Sequence, residues 1–180
     1  MGGSFPYQEI LDLISKFPFF IPVNFVETGT YKGVTTRDAS RLFRHVYTIE
    51  IMESLYNESR ATSDQQGIQN ITYYLGDSLK TLPRIVDELN GPTLWFLDAH
   101  QSGCDTGNNG INVPLLQELD IILNSIGRYY PSIFVLDDLR LFSKYWDWDG
   151  INTNTILEKF RNKRVLFQTE ENDRYIVVCE

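Results

Sequence analysis

Phe25-Val26-Glu27-Thr28-Gly29-Thr30-Tyr31-Lys32-Gly33 is an apolar strand that runs into an acid, a tight glycine turn and the start of a helix near Val34. A second short strand, Val46-Tyr47-Thr48-Ile49-Glu50, also ends in a carboxylate. Together they describe a nucleoside-binding βαβ unit. Its first turn is expected to expose backbone N–H groups to a ligand, and the acid ending the second strand can accept both hydroxyls of a ribose. The expectation is an adenosine-type cofactor at one end of a parallel sheet.

A dinucleotide fingerprint requires three glycines in the pattern G-x-G-x-x-G. Only Gly29 and Gly33 are present, and no glycine-lysine phosphate loop exists, because Lys32 precedes Gly33. Glu27, two residues before the first glycine, would repel a pyrophosphate but suits a cationic ligand such as an amino group or a sulfonium. The alternative is a turn whose glycines serve the backbone alone. The combination resembles the first motif of the class I S-adenosylmethionine-dependent methyltransferases, and Glu50 falls where that family keeps its ribose-binding acid. The resemblance implies S-adenosyl-L-methionine as cofactor. Its contacts would be Glu27, Thr28, Gly29, Thr30, Tyr31 and Gly33, then Glu50 and Ile51, then Asp77 and Ser78 after the third strand, and Asp98.

The chain has 180 residues, enough for one domain with a substantial core. Its 24 acids against 16 bases give a net charge of −8, which disfavours grip on a polyanion, so nucleic acid is not expected as a partner. Cys104 and Cys179 form neither a disulfide framework nor a metal-ligand spacing, and read as reduced thiols of a cytoplasmic protein. No apolar run approaches the roughly 20 residues of a membrane span.

Outward from the first motif, strand and helix alternate. Strands are expected at 23–26, 46–50, 71–75, 93–97, 132–136, 165–168 and 175–178. Helices are expected at 10–17, 36–43, 52–62, 79–89, 114–126 and 155–161. Such alternation predicts an α/β three-layer sandwich with a mainly parallel seven-stranded sheet. The short link 169–174 cannot make a crossover, so the sheet ends in an antiparallel hairpin. This arrangement, too, resembles the Rossmann-like class I methyltransferase core. Residues 1–22 are expected as a short N-terminal helical extension and 23–180 as a single methyltransferase domain.

Five predicted strands end in polar groups: Glu27, Glu50, Asp77, Asp98 with His100, and Asp137 with Asp138. Unpaired carboxylates at one edge repel one another, so cations are expected among them. Asp98, Asp137 and Asp138 offer the hard oxygens that Mg²⁺ or Mn²⁺ prefers, and such an ion could lower the pKa of a substrate hydroxyl. Alternatively, Asp137 or Asp138 caps the following segment. The segments Phe96-Leu97-Asp98-Ala99-His100-Gln101-Ser102-Gly103 and Leu136-Asp137-Asp138-Leu139-Arg140-Leu141-Phe142 resemble the metal-dependent, macrocin-type sugar O-methyltransferases. On that resemblance the three aspartates become metal ligands.

His100, with Asp98, is the candidate catalytic pair, His100 acting as general base for a hydroxyl. A metal ligand or a structural histidine are the other readings of His100. Substrate contacts are assigned to Gln101 in a glycine-rich loop, to Arg140, and to Tyr145, Trp146 and Trp148. Aromatic faces flanked by acids suit a sugar ring, and a hydrophobic plug is the alternative. Arg140 either reaches the cleft or neutralises Asp137 and Asp138. The resulting expectation is a metal-assisted O-methyltransferase acting on a hydroxyl of a sugar or glycan. Alternatives are a non-sugar small-molecule acceptor and a non-catalytic binding subunit. The short N-terminal segment suggests an open site, or one completed by a homodimer or by further domains of a longer protein.

Overall fold

The computed structural model describes residues 4–100, 110–125 and 130–180. In chain order its elements are α1 (Tyr7–Ser15), β1 (Asn24–Thr28), α2 (Val34–Ser40), β2 (His45–Glu50), α3 (Glu53–Gln65), β3 (Ile71–Leu75), α4 (Ser78–Glu88), β4 (Thr93–Leu97), α5 (Leu115–Ser125), β5 (Ser132–Leu136), α6 (Thr153–Lys159), β6 (Val165–Glu171) and β7 (Arg174–Cys179). Two single-turn 3₁₀ helices, Leu139–Leu141 and Trp146–Trp148, follow β5 and were not expected from periodicity.

The strands form one sheet in the order β3-β2-β1-β4-β5-β7-β6. The first five pair parallel, and β7 runs antiparallel to both of its neighbours. The α/β sandwich and its terminal hairpin are therefore as expected. β1, β4 and β5 are buried along their whole length, which is why they read as nearly continuous apolar runs. Strand alternation splits their side chains between two cores. Val26, Trp95, Leu97, Phe134 and Leu136 pack with Leu82 and Ile85 of α4 and with Leu119 and Ile122 of α5. Phe25, Leu94, Phe96, Ile133 and Val135 pack with Ile10, Leu13 and Ile14 of α1.

α1 thus packs on this face of the sheet. The Phe5 N–H donates to Thr35 Oγ1 and the Tyr7 N–H to Asp38 Oδ2, each at 2.9 Å, which ties this segment to α2. Asn172 and Asp173, at φ 52° and 64°, make the two-residue turn between β6 and β7. Positive φ at both positions matches the right-handed twist of the strands they join. Among the described residues no helix is long and apolar enough to cross a membrane.

Candidate active site

β1 lies between β2 and β4, so the chain winds outward in both directions from the β1–β4 pair. Such a switch point opens a crevice at the carboxyl ends of the strands. The β1–α2 turn borders it. Gly29 has φ +85°, and a Cβ there would lie 2.6 Å from the backbone oxygen of Asp98. Gly33 has φ +66°, and a Cβ would strike Ser59 Oγ. Both glycines are thus required by close approach as well as by backbone angle. Tyr31 takes φ 49° without being glycine, a strained conformation of the kind that collects at functional turns. Gly29→Ala should unfold at lower temperature, with a loss on the order of 1–3 kcal/mol. A thermal melt indistinguishable from the wild type would contradict this close packing.

The expected exposure of the turn's N–H groups requires correction. Gly29 and Thr30 both donate to the carbonyl of Ile49, at 3.0 and 3.1 Å, and Gly33 donates to Thr30. The Tyr31 N–H donates to Glu50 Oε2 at 2.7 Å, and the Met52 N–H, just past Ile51, donates to Oε1 at 2.9 Å. Glu50 therefore stands at the end of β2 as expected, with burial raising its pKa and these N–H groups opposing the rise. The Ile51 N–H is a third backbone donor to this carboxylate, and its two oxygens together keep acceptor capacity for a hydroxyl.

Glu27 is used inside the fold. Its carboxylate accepts from the hydroxyls of Thr36 and Thr48 and is fully buried. Burial pushes its pKa up to about 8, against the pull of the two threonines, with Asp98 and Glu50 adding to the rise. At neutral pH it is largely an uncharged acid, so it offers little charge to a sulfonium.

Asp98, His100 and Asp138 converge, with one ligand atom from each lying within 4.8 Å of the others. His100 Nε2 is 2.8 Å from Asp138 Oδ2, and Nδ1 is 3.4 Å from Asp98 Oδ1. Burial pushes the imidazole toward neutrality, but the two carboxylates outweigh it and raise its pKa to about 10. His100 is then an imidazolium at neutral pH and cannot accept a proton in this state. Asp98 is raised by burial and pulled back by His100. Asp138 is raised by burial, yet His100 and Arg140 hold it below the ordinary range. Both oxygens of Asp138 face cations, Oδ2 the His100 ring and Oδ1 the Arg140 guanidinium.

Asp137 does not join this group. After β5 the chain turns through Asp138 at φ 60°, and Asp137 Oδ1 instead accepts from Arg174 Nε at 3.0 Å. Burial raises Asp137 to about 7, Asp98 adds to the rise, and Arg174 opposes it. Arg140 pairs with Asp138 but not with Asp137, and its second partner is Asp173 of the hairpin turn.

The aromatic segment divides. Trp148 is a plug, stacked on Phe142 at 5.7 Å and edge-on to His100 at 5.3 Å. Trp146 and Tyr145 are 82% and 59% exposed. Gln101 and Cys104 lie outside the described residues. Asp77 caps α4, accepting from the Leu79 N–H at 2.9 Å.

Glu118 is a site residue that sequence reasoning missed. It is 1% exposed on α5, accepts from Thr28 Oγ1 at 3.2 Å and is bonded to Ser78. Burial raises it to about 7, opposed by those two hydroxyls, while Asp98 and Asp77 add to the rise. It therefore links the loops after β1 and β3 beneath the crevice.

No protein-family model matches the chain, and no curated protein is similar to it in sequence. Several solved structures share its fold. SMU.1697c of Streptococcus mutans, described as a methyltransferase and bound to SAH, superposes with a TM-score of 0.59 at 14% identity, over 94% of this chain and 96% of that one. A mutant of MtNAS bound to S-adenosylmethionine gives 0.62 at 14% identity, over 96% of this chain and 60% of that one. This chain thus spans less than two thirds of MtNAS. An rRNA methylase of Streptococcus thermophilus gives 0.54 at 12% identity, over 97% and 95% of the two chains. At these identities the likeness is one of fold. The chain has the Rossmann-like fold of the class I methyltransferases, a fold that also serves an enzyme named for RNA.

Proposed function

We infer that this chain is an S-adenosylmethionine-dependent methyltransferase that methylates a hydroxyl of a small polar acceptor, a sugar or glycan. The observation that carries the reading is the pairing of the Gly29–Gly33 turn with Glu50 at the crevice beside the β1–β4 switch point. S-adenosylmethionine, when bound, would supply an electrophilic methyl group. Glu50 would hold its ribose with the acceptor capacity left beside the Tyr31 and Met52 N–H groups. Thr28, Gly29 and Thr30 shape the turn that closes on Asp98, and Asp77 and Ser78 border the crevice after β3.

The fit for a divalent ion rests on the donor set itself, one buried carboxylate of Asp138 with Asp98 and His100 converging on it. One imidazole among two carboxylates suits Mn²⁺ better than Mg²⁺, and Asp137, committed to Arg174, is replaced in the set by His100. Such an ion, when bound, would lower the pKa of a coordinated hydroxyl. His100 must first release the proton that now balances Asp98 and Asp138. Once neutral, it regains the capacity to act as a ligand or base. Trp146 and Tyr145 offer exposed ring faces beyond Trp148 on which a sugar would stack. A phenolic acceptor would stack on the same faces, and turnover assays with both classes separate the two readings. The net charge of −8 favours a small acceptor over RNA.

Calorimetric titration tests the cofactor. S-adenosylmethionine should bind in the micromolar range. Losing charge-assisted bonds of about 1.5–3 kcal/mol each should weaken binding in Glu50→Ala by tenfold or more. No heat with the wild type, with or without Mn²⁺, sinks the methyltransferase reading. Titration with Mn²⁺ in buffers of different ionisation enthalpy should show about one proton released from His100. Binding without proton release would remove His100 from the ligand set.

A further inference from the structure

β6 is the last strand of the sheet, and among the described residues no strand lies outside it. Its Val165, Leu166 and Phe167 are 37%, 36% and 40% exposed. β6 is exposed along nearly its whole length, so three consecutive apolar side chains reach solvent, and a register shift against β7 falls between Val165 and Phe167. Phe167 meets Phe17 edge-on at 5.4 Å, and Phe17 meets the half-exposed Phe19 at 5.8 Å, so the patch extends beyond the strand. An edge with free ladder groups and apolar side chains is a template for another strand.

The charges around this edge specify which strand. Arg161, Lys163 and Arg164 precede β6, its centre is apolar, and Glu170 and Glu171 end it. A segment basic at one end and acidic at the other complements itself only when antiparallel, since parallel pairing sets like charges side by side. The opposite edge, β3, is Ile71-Thr72-Tyr73-Tyr74-Leu75, without a charged residue to set orientation. We propose that β6 is the surface through which two copies of this chain associate, pairing antiparallel about a two-fold axis near Phe167. The contact is isologous, and Arg164 of each copy faces Glu170 or Glu171 of the other. The present pairs of Arg164 with Glu180 and of Lys16 with Glu171 are solvent-exposed and worth little, so they yield to the new contact. The crevice at the ends of β1, β2 and β4 stays open in such a dimer, and the proposal does not depend on the function inferred above.

Sedimentation equilibrium over a concentration series tests it on the full chain. The mass should rise from 20.9 kDa toward twice that value. Glu171→Arg and Arg164→Glu each place like charges across the axis, and each should raise the dimer dissociation constant about tenfold or more. The double variant Arg164→Glu/Glu171→Arg restores complementarity and should recover the dimer. Both residues are at the surface, so melting curves should confirm that every variant is folded. A wild type of 20.9 kDa throughout the series overturns the proposal. So does a dimer indifferent to the single reversals, which would place the contact elsewhere.

Discussion

Arg174→Leu is expected to destabilise the fold by about 3–5 kcal/mol, the usual cost of stripping one partner from a buried ion pair. Arg174 is 5% exposed. Its Nε donates to Asp137 Oδ1, its Nη1 to Glu9 and its Nη2 to the Ser4 carbonyl at 3.1 Å. The guanidinium also lies over the Phe5 ring at 4.6 Å. One side chain therefore joins the strand next to the site, the first helix and the segment before it. Its removal leaves Asp137, 4% exposed and already with one unpartnered oxygen, without its counter-charge. Against a typical total of about 5–15 kcal/mol the loss is severe. Urea unfolding should show the midpoint falling with little change in slope. Pairing the change with Asp137→Leu should recover part of the loss, because replacing both members of a buried pair with apolar groups is often neutral. A loss below about 1 kcal/mol for Arg174→Leu would show that the network contributes little net stability.

The second large effect is on pH dependence. Glu27 has a folded pKa of about 8 against an ordinary 4.5. Between those values the folded protein holds a proton that the unfolded chain has released. The stability tied to Glu27 is therefore fully present below pH 4.5 and is lost as pH rises through 8. At about 1.36 kcal/mol per unit, the swing is on the order of 5 kcal/mol. Asp137 and Glu118, both raised to about 7, and His100, raised to about 10, act in the same direction. Asp138, held low, acts oppositely and only at acid pH. Stability should therefore fall steadily from pH 5 to pH 9. Glu27→Gln keeps an acceptor for Thr36 and Thr48 without the charge. It should match the wild type near pH 5 and exceed it near pH 8. Parallel pH curves for the two proteins would show that Glu27 ionises normally in the fold.

Much of the frame was legible because a buried parallel strand leaves a plain trace, an apolar run that stops at an acid. Ile71–Leu75, Thr93–Leu97 and Ser132–Leu136 have the bounds the sequence suggested. Glu50, Asp98 and Asp138 followed as strand-end acids. The choice between Asp137 and Asp138 did not follow. It depends on the left-handed backbone at Asp138 and on Arg174, which is adjacent in space but 37 residues away in sequence. Glu118 was hidden for a different reason. A single acid in an amphipathic helix reads as the solvent face, and only the packing of α5 beneath Thr28 and Ser78 buries it. The turn's N–H groups misled because a turn pattern cannot show that the Ile49 carbonyl would take two of them. The insertion of β7 between β5 and β6 likewise leaves no local trace.

The Asn172–Asp173 turn bears on how this scaffold could be re-engineered. Hairpin tips are ordinarily the places where a chain accepts an inserted tag, a graft or new termini. Here the tip is a strut: Asp173 binds the Arg140 side chain and backbone N–H, and its carbonyl receives the Leu139 N–H. A graft at this tip would leave the sheet in place while freeing the turn that holds Asp138. The permissive sites for fusion in this architecture must be sought elsewhere.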